Sequence, residues 1–186
     1  MELNNLIKEI AKRSAMPLYN VSKFWVKKIN EFEIDCNSLD DYNHIDIRES
    51  EKFKNLFVDL KKIEGPVLYY WEVTSDHSSE EIVNRIKKYS HSENSKSIPA
   101  IKINYPISKV LYVGKVKKHI WGRFIQHLGF YKVPRTQGLQ LFYWAKELCL
   151  TLKITVLEFE PEMINLMDVL EREIAKELKP MLGKHS

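Results

Sequence analysis

Val110-Leu111-Tyr112-Val113-Gly114-Lys115 decides how this chain reads: β-favouring residues run into a glycine and a lysine. The residues that follow change period. Ile120, Trp121, Phe124, Ile125 and Leu128 fall at helical spacing from about Lys118 to Leu128, and Gly129 is placed to cap that helix. His119, Arg123 and His127, four residues apart, occupy the side opposite the apolar stripe. A strand that ends in glycine-lysine therefore feeds a helix whose polar side carries two imidazoles and a guanidinium.

Working outward, Val67-Leu68-Tyr69-Tyr70-Trp71-Glu72-Val73 predicts a strand, and Ser78 with Glu81 predicts a capping box for a helix through Ile82, Ile86 and Tyr89. Ser90 to Ser97 reads as a loop. Beyond Gly129 we expect a helix from about Thr136 to Leu148, a strand from Leu152 to Phe159 and a final helix from Pro161 to Leu178. On that last helix Glu171 borders the stripe of Leu166, Met167, Leu170, Ile174 and Leu178. Before Gly65 the pattern is helical: Leu3, Leu6, Ile7 and Ile10, then Val21, Phe24, Trp25 and Ile29 after a turn near Pro17, then Phe53, Leu56, Phe57 and Leu60. The organisation expected is a helical accessory region, residues 1–64, ahead of a unit at 65–186 with an insertion at 74–107.

Charge points to a polyanionic partner. The formal net charge is +4, yet no Asp or Glu occurs from Asn94 through Lys146, a stretch that holds ten Lys or Arg. Such a block binds phosphate by releasing condensed counterions, with no dependence on sequence. Lys117, Lys118, Lys132 and Arg135 are its candidate contacts. Composition excludes other classes: no apolar run approaches the roughly 18 residues needed to span a bilayer, and no signal peptide is recognisable, so a cytoplasmic protein is expected. Cys36 and Cys149 form no CxxC pair, which argues against a disulfide framework or a zinc site, and Cys149 is expected in the core.

Taken together, Gly65 to the C-terminus resembles the GIY-YIG nuclease superfamily. In that family two tyrosine-bearing strands precede a glycine and lysine, a helix carries an arginine with a histidine four residues on, and a later helix supplies one metal-binding glutamate before a Lys-Pro pair. Tyr112-Val113-Gly114-Lys115 matches the second signature, Arg123 and His127 match the helix, and Glu171 precedes Lys179-Pro180. The first signature reads Gly65-Pro66-Val67-Leu68-Tyr69-Tyr70. Successive strand residues face opposite ways, so only one tyrosine can reach the site, and the apolar flanks Leu68 and Trp71 favour Tyr69.

The resemblance implies an α/β (α+β) domain with a small, mostly antiparallel three-stranded sheet flanked by helices. It implies a divalent-metal-dependent DNA endonuclease, of restriction or mobile-element type, that hydrolyses phosphodiesters by direct attack of water. Glu171 would hold Mg²⁺ or Mn²⁺, Arg123 would stabilise the phosphorus, and the base is open among Tyr69, Tyr112, Lys115 and His127, with Lys115 and Arg123 expected to favour a phenolate. DNA is the expected partner. The alternatives are a catalytically inactive DNA-binding protein that keeps the fold, and an RNA-cleaving enzyme. Separately, Ile7 to Lys28 resembles a helix-turn-helix with its turn at Ala15 to Pro17, which would leave Asn20 and Lys23 facing a groove.

Overall fold

The computed structural model describes residues 3–133 and 135–184. The fold is α+β. Four strands form one antiparallel sheet in the spatial order β1 (Lys28–Asp35), β4 (Thr151–Glu158), β2 (Val67–Val73) and β3 (Val110–Val116). Three strands were expected, and β1 is the addition. Asn30, Phe32 and Ile34 turn inward while Glu31, Glu33 and Asp35 face solvent, a period-two alternation that suits one buried face. Ile29, assigned above to a helix, is instead an exposed strand residue. All eight residues of β1 are in register with β4, so the chain before Gly65 is not helical throughout.

Leu3–Phe24 is a single helix, α1, and not two helices joined by a turn. Ala15 cannot adopt a left-handed turn as cheaply as glycine would, and the helix carries Pro17 inside it. It ends where Trp25 takes φ 69°. No residue of α1 is buried. The other helices are α2 (Lys54–Lys61), α3 (Ser79–Ser90), α4 (Ile120–Leu128), α5 (Leu141–Trp144) and α6 (Met167–Leu178). The capping box of Ser78 and Glu81 opens α3, and Gly129, at φ 108°, closes α4. The helix expected over 136–148 shrinks to α5 and one following turn. A Cβ on Gly138 would lie 2.3 Å from the Gln126 carbonyl oxygen, so this stretch runs flat against α4, and left-handed residues at Gln140 and Cys149 bound what helix remains. Cys149 is exposed, not core, because that left-handed turn carries it to the surface.

The register sorts the side chains. Tyr69 lies opposite Gly114 and Trp71 opposite Tyr112, and their shared face packs against Phe124 and His127 of α4. Leu68 lies opposite Lys115 and Tyr70 opposite Val113; on that other face Ala175 of α6 packs with Val110 and Val113. Trp71, Trp144, Tyr69, Phe57 and Phe124 are among the largest fully buried side chains. At about 1.5–3 kcal/mol for each such side chain, the site is built on well-anchored walls.

β3 is one of the two outer strands. Lys179, at φ 48°, and Pro180 turn the chain back beside it, and the Met181 and Leu182 N–H groups donate to the Val110 and Leu111 carbonyls. Beyond Tyr112 no strand among the described residues pairs with this outer edge. No described helix is long and apolar enough to cross a membrane.

Candidate active site

Tyr69 is 1 % exposed, and its hydroxyl lies 2.9 Å from Nε2 of His127, itself fully buried. The Leu139 N–H donates to His127 Nδ1 at 3.2 Å, so Nδ1 carries no proton. The neutral ring must then be protonated on Nε2, which donates to the Tyr69 oxygen. Arg123 Nε donates to the same oxygen at 3.3 Å. Its guanidinium is held in turn by the Gln126 side-chain oxygen and, at 3.5 Å, by the Gln137 carbonyl. The Tyr112 ring completes this cage, 6.2 Å from Tyr69 and 5.2 Å from His127 between centroids.

Gly114 explains why the rings can gather. A Cβ there would lie 2.6 Å from the Tyr69 hydroxyl and 2.7 Å from the Tyr112 ring. The glycine of the Tyr-Val-Gly-Lys stretch is the floor on which two phenols meet.

On the other face, Lys115 Nζ bonds the Glu171 carboxylate and lies 2.7 Å from that of Asp168. The two acids are three residues apart and share one side of α6. Adjacent residues of β3 thus join the halves: Gly114 under the phenols, Lys115 against Glu171. The negative charge of Glu171 is felt across the strand, adding a smaller upward push to phenol pKa values that burial chiefly raises. Asp168 escaped the sequence reading, although its spacing from Glu171 was the available signal.

Burial is the first cause of the rise at Tyr69, with the Tyr112 charge adding to it and Arg123 opposing. Burial likewise dominates at Tyr112, with Arg123 opposing. The expectation that cations would favour a phenolate is therefore reversed here, because desolvation outweighs the guanidinium. Burial, then Arg123, holds His127 well below the usual imidazole value. Partial burial works against the Lys115 ammonium, but hydrogen bonds and charge from Asp168 and Glu171 outweigh it, so its pKa is raised.

Glu171 and Asp168 are hard oxygen donors of the kind Mg²⁺ and Mn²⁺ take. Among the described residues no cluster of three or more potential ligands exists. The donor set fits only an ion that keeps waters and substrate oxygens in its shell.

Of the remaining predicted contacts, Lys117 and Lys118 are exposed on the link from β3 to α4, and Lys132 and Arg135 are exposed on the segment between α4 and α5. Asn20 and Lys23 are exposed on α1, where Lys23 lies over the Tyr19 ring. They are not among the groups that touch Tyr69. His119, expected to be solvated, is exposed at φ 61° in the turn before α4.

No protein-family model, curated protein or solved structure matches this chain.

Proposed function

We propose that this chain is a metal-dependent endonuclease that hydrolyses DNA phosphodiesters at the junction of the Tyr69 cage and the Lys115–Glu171 pair. One observation carries the reading. Tyr69, Tyr112, Arg123 and His127 gather over Gly114 on one face of the sheet, and Lys115 meets Glu171 on the other face one residue along, near enough for the Glu171 charge to be felt at both phenols. Bound Mg²⁺ or Mn²⁺, held by Glu171 with Asp168 as second carboxylate, would supply positive charge to a non-bridging phosphate oxygen and to the departing 3′ oxygen.

The chain's own residues do the rest. Arg123 offers its donor fork to the charge that develops on phosphorus. Tyr112, partly exposed where Tyr69 is sealed, is the phenol that water can reach, and as phenolate it takes the proton as the water oxygen bonds to phosphorus and the 3′ oxygen leaves. His127 holds Tyr69, and Tyr69 holds Arg123. Neither His127, with Nδ1 tied to Leu139 and Nε2 protonated, nor the charged Lys115 is free to act as base.

The second reading is a DNA-binding protein that keeps the fold without catalysis. The ion pairs of Lys115 with both Glu171 and Asp168 favour it, since a cation must compete with the ammonium. Incubation of supercoiled plasmid with and without Mg²⁺ separates the two. Nicked or linear product that requires Mg²⁺ and disappears in Glu171→Gln supports the nuclease; a shifted, intact plasmid supports the binder.

A further inference from the structure

A second feature lies one turn beyond Glu171. An open cavity of about 560 Å³ is lined by Lys102, Asn104, Ala175, Lys176, Lys179 and Lys184, and among the described residues no Asp or Glu lines it. Three segments far apart in sequence build it. Lys102 comes from the 74–107 insertion, Lys176 and Lys179 from the end of α6, and Lys184 from the returning C-terminal chain. Gly183, at φ 116°, donates its N–H to the Ala100 carbonyl at 2.8 Å, and Ile101 bridges to Leu182. These backbone bonds fix Lys102 and Lys184 beside the same opening. Partial burial lowers the Lys102 pKa. Lys176 is bonded to Glu173 at 2.7 Å, an exposed pair of little strength.

Four lysines from three segments line one open hollow with no acid among its described lining residues, a setting that favours an anion. From Glu171 to Lys179 the helix advances about 12 Å, at about 1.5 Å per residue. Measured along a duplex axis, that distance corresponds to about three to four phosphates of one strand, at one charge per about 3.4 Å of axis. We infer that this lysine cavity is the phosphate groove that grips the DNA strand running from the scissile bond along α6, and that the insertion exists in part to complete it. The inference rests on the nuclease reading for the position of the scissile phosphate.

The test is binding of the full chain to a fluorescently labelled mixed-sequence DNA duplex, by anisotropy, in Ca²⁺ across a series of KCl concentrations. The variant carries Lys102→Gln, Lys176→Gln, Lys179→Asn and Lys184→Gln, with asparagine chosen at 179 because it tolerates the left-handed turn. A control carries Lys54→Gln, Lys61→Gln, Lys62→Gln and Lys88→Gln, exposed lysines that do not line the cavity. We expect the slope of log K against log salt to flatten by about 0.9 for each lysine that contacts phosphate, with affinity at low salt down more than tenfold and the control unchanged. Single Lys102→Gln, on an irregular segment, gives the same reading one lysine at a time should the fourfold variant melt early. An unchanged slope in the cavity variants, or an equal flattening in the control, overturns the groove. Plasmid cleavage by the unmodified chain is scored separately, so a groove that binds in a chain that never cleaves would sink the nuclease reading alone, and cleavage with an unchanged slope would sink the groove alone.

Discussion

The Tyr69 hydroxyl and His127 Nε2, 2.9 Å apart, form a buried hydrogen bond between a central strand and α4. Because His127 also accepts from Leu139, its neutral form is the one the fold requires. Its folded pKa lies well below the ordinary value of 6.5, so the unfolded chain binds the proton first. The stability this group confers is present above about pH 6.5 and is lost as pH falls below it, by about 1.4 kcal/mol per pH unit until the folded pKa is reached. Urea denaturation at pH 7.5 and pH 5.5 should show this loss in the unmodified protein and a smaller one in His127→Gln. Equal losses in both would mean that His127 protonates without disturbing the fold.

Tyr69→Phe should cost about 1–3 kcal/mol, because it strips the acceptor from buried donors on His127 and Arg123. For a chain of this size that lowers Tm by about 2–4 °C per kcal/mol. DNA binding should survive and cleavage should fall, since Arg123 loses an anchor. A thermal melt beside a cleavage assay checks both arms.

Tyr112 titrates above the ordinary phenol value, chiefly because it is buried. Below that pKa the phenolate fraction rises about tenfold per pH unit, so single-turnover cleavage should climb with pH through the alkaline range. Tyr112→Phe should be slow and flat over the same range. A pH profile of Tyr112→Phe that keeps the rising limb would remove Tyr112 as the base.

Gly114→Ala places a methyl group within 2.6–2.7 Å of both phenols. Either the rings separate or the strand shifts, at about 1–3 kcal/mol. We expect a folded, less stable protein whose cleavage drops far more than its DNA affinity, read by a melt and by anisotropy. Cleavage at the unmodified rate would show that the phenols need not be packed as they are.

The legible parts of this sequence were those with a local cause. The capping box of α3, the glycine that ends α4 and the strand Val67–Val73 announce themselves through turn chemistry and period. That Tyr69, Arg123 and His127 would meet was suggested only by motif order, and nothing local tells Glu171 that it will face Lys115. What escaped has physical reasons. In β1, charged residues alternate with one buried and one partly buried apolar residue, Ile34 and Phe32, too little signal against the neighbouring helical pattern. The stretch over 136–148 carries helical spacing, but tight contact of Gly138 with the Gln126 backbone overrides propensity. The phenol pKa values depend on burial, which charge counting in a sequence omits.

The place of β1 in the sheet decides what truncation does. A chain that begins near Ile63 loses one of the two partners of β4 and, with it, buried Ile34, Cys36, Leu39, Tyr42, Ile47, Phe53, Phe57 and Leu60. It exposes a bare strand edge beside an opened core and should aggregate on size exclusion. A chain that begins at Val26 loses only α1, which buries none of its residues and meets the body through part-buried Leu18 and Val21. That shorter loss should leave near-ultraviolet circular dichroism intact. The two truncations also locate recognition: if Asn20 and Lys23 on α1 read DNA sequence, the chain from Val26 keeps Mg²⁺-dependent nicking and loses site preference. Retention of both by that chain would confine recognition to the body that carries Tyr69 and Glu171.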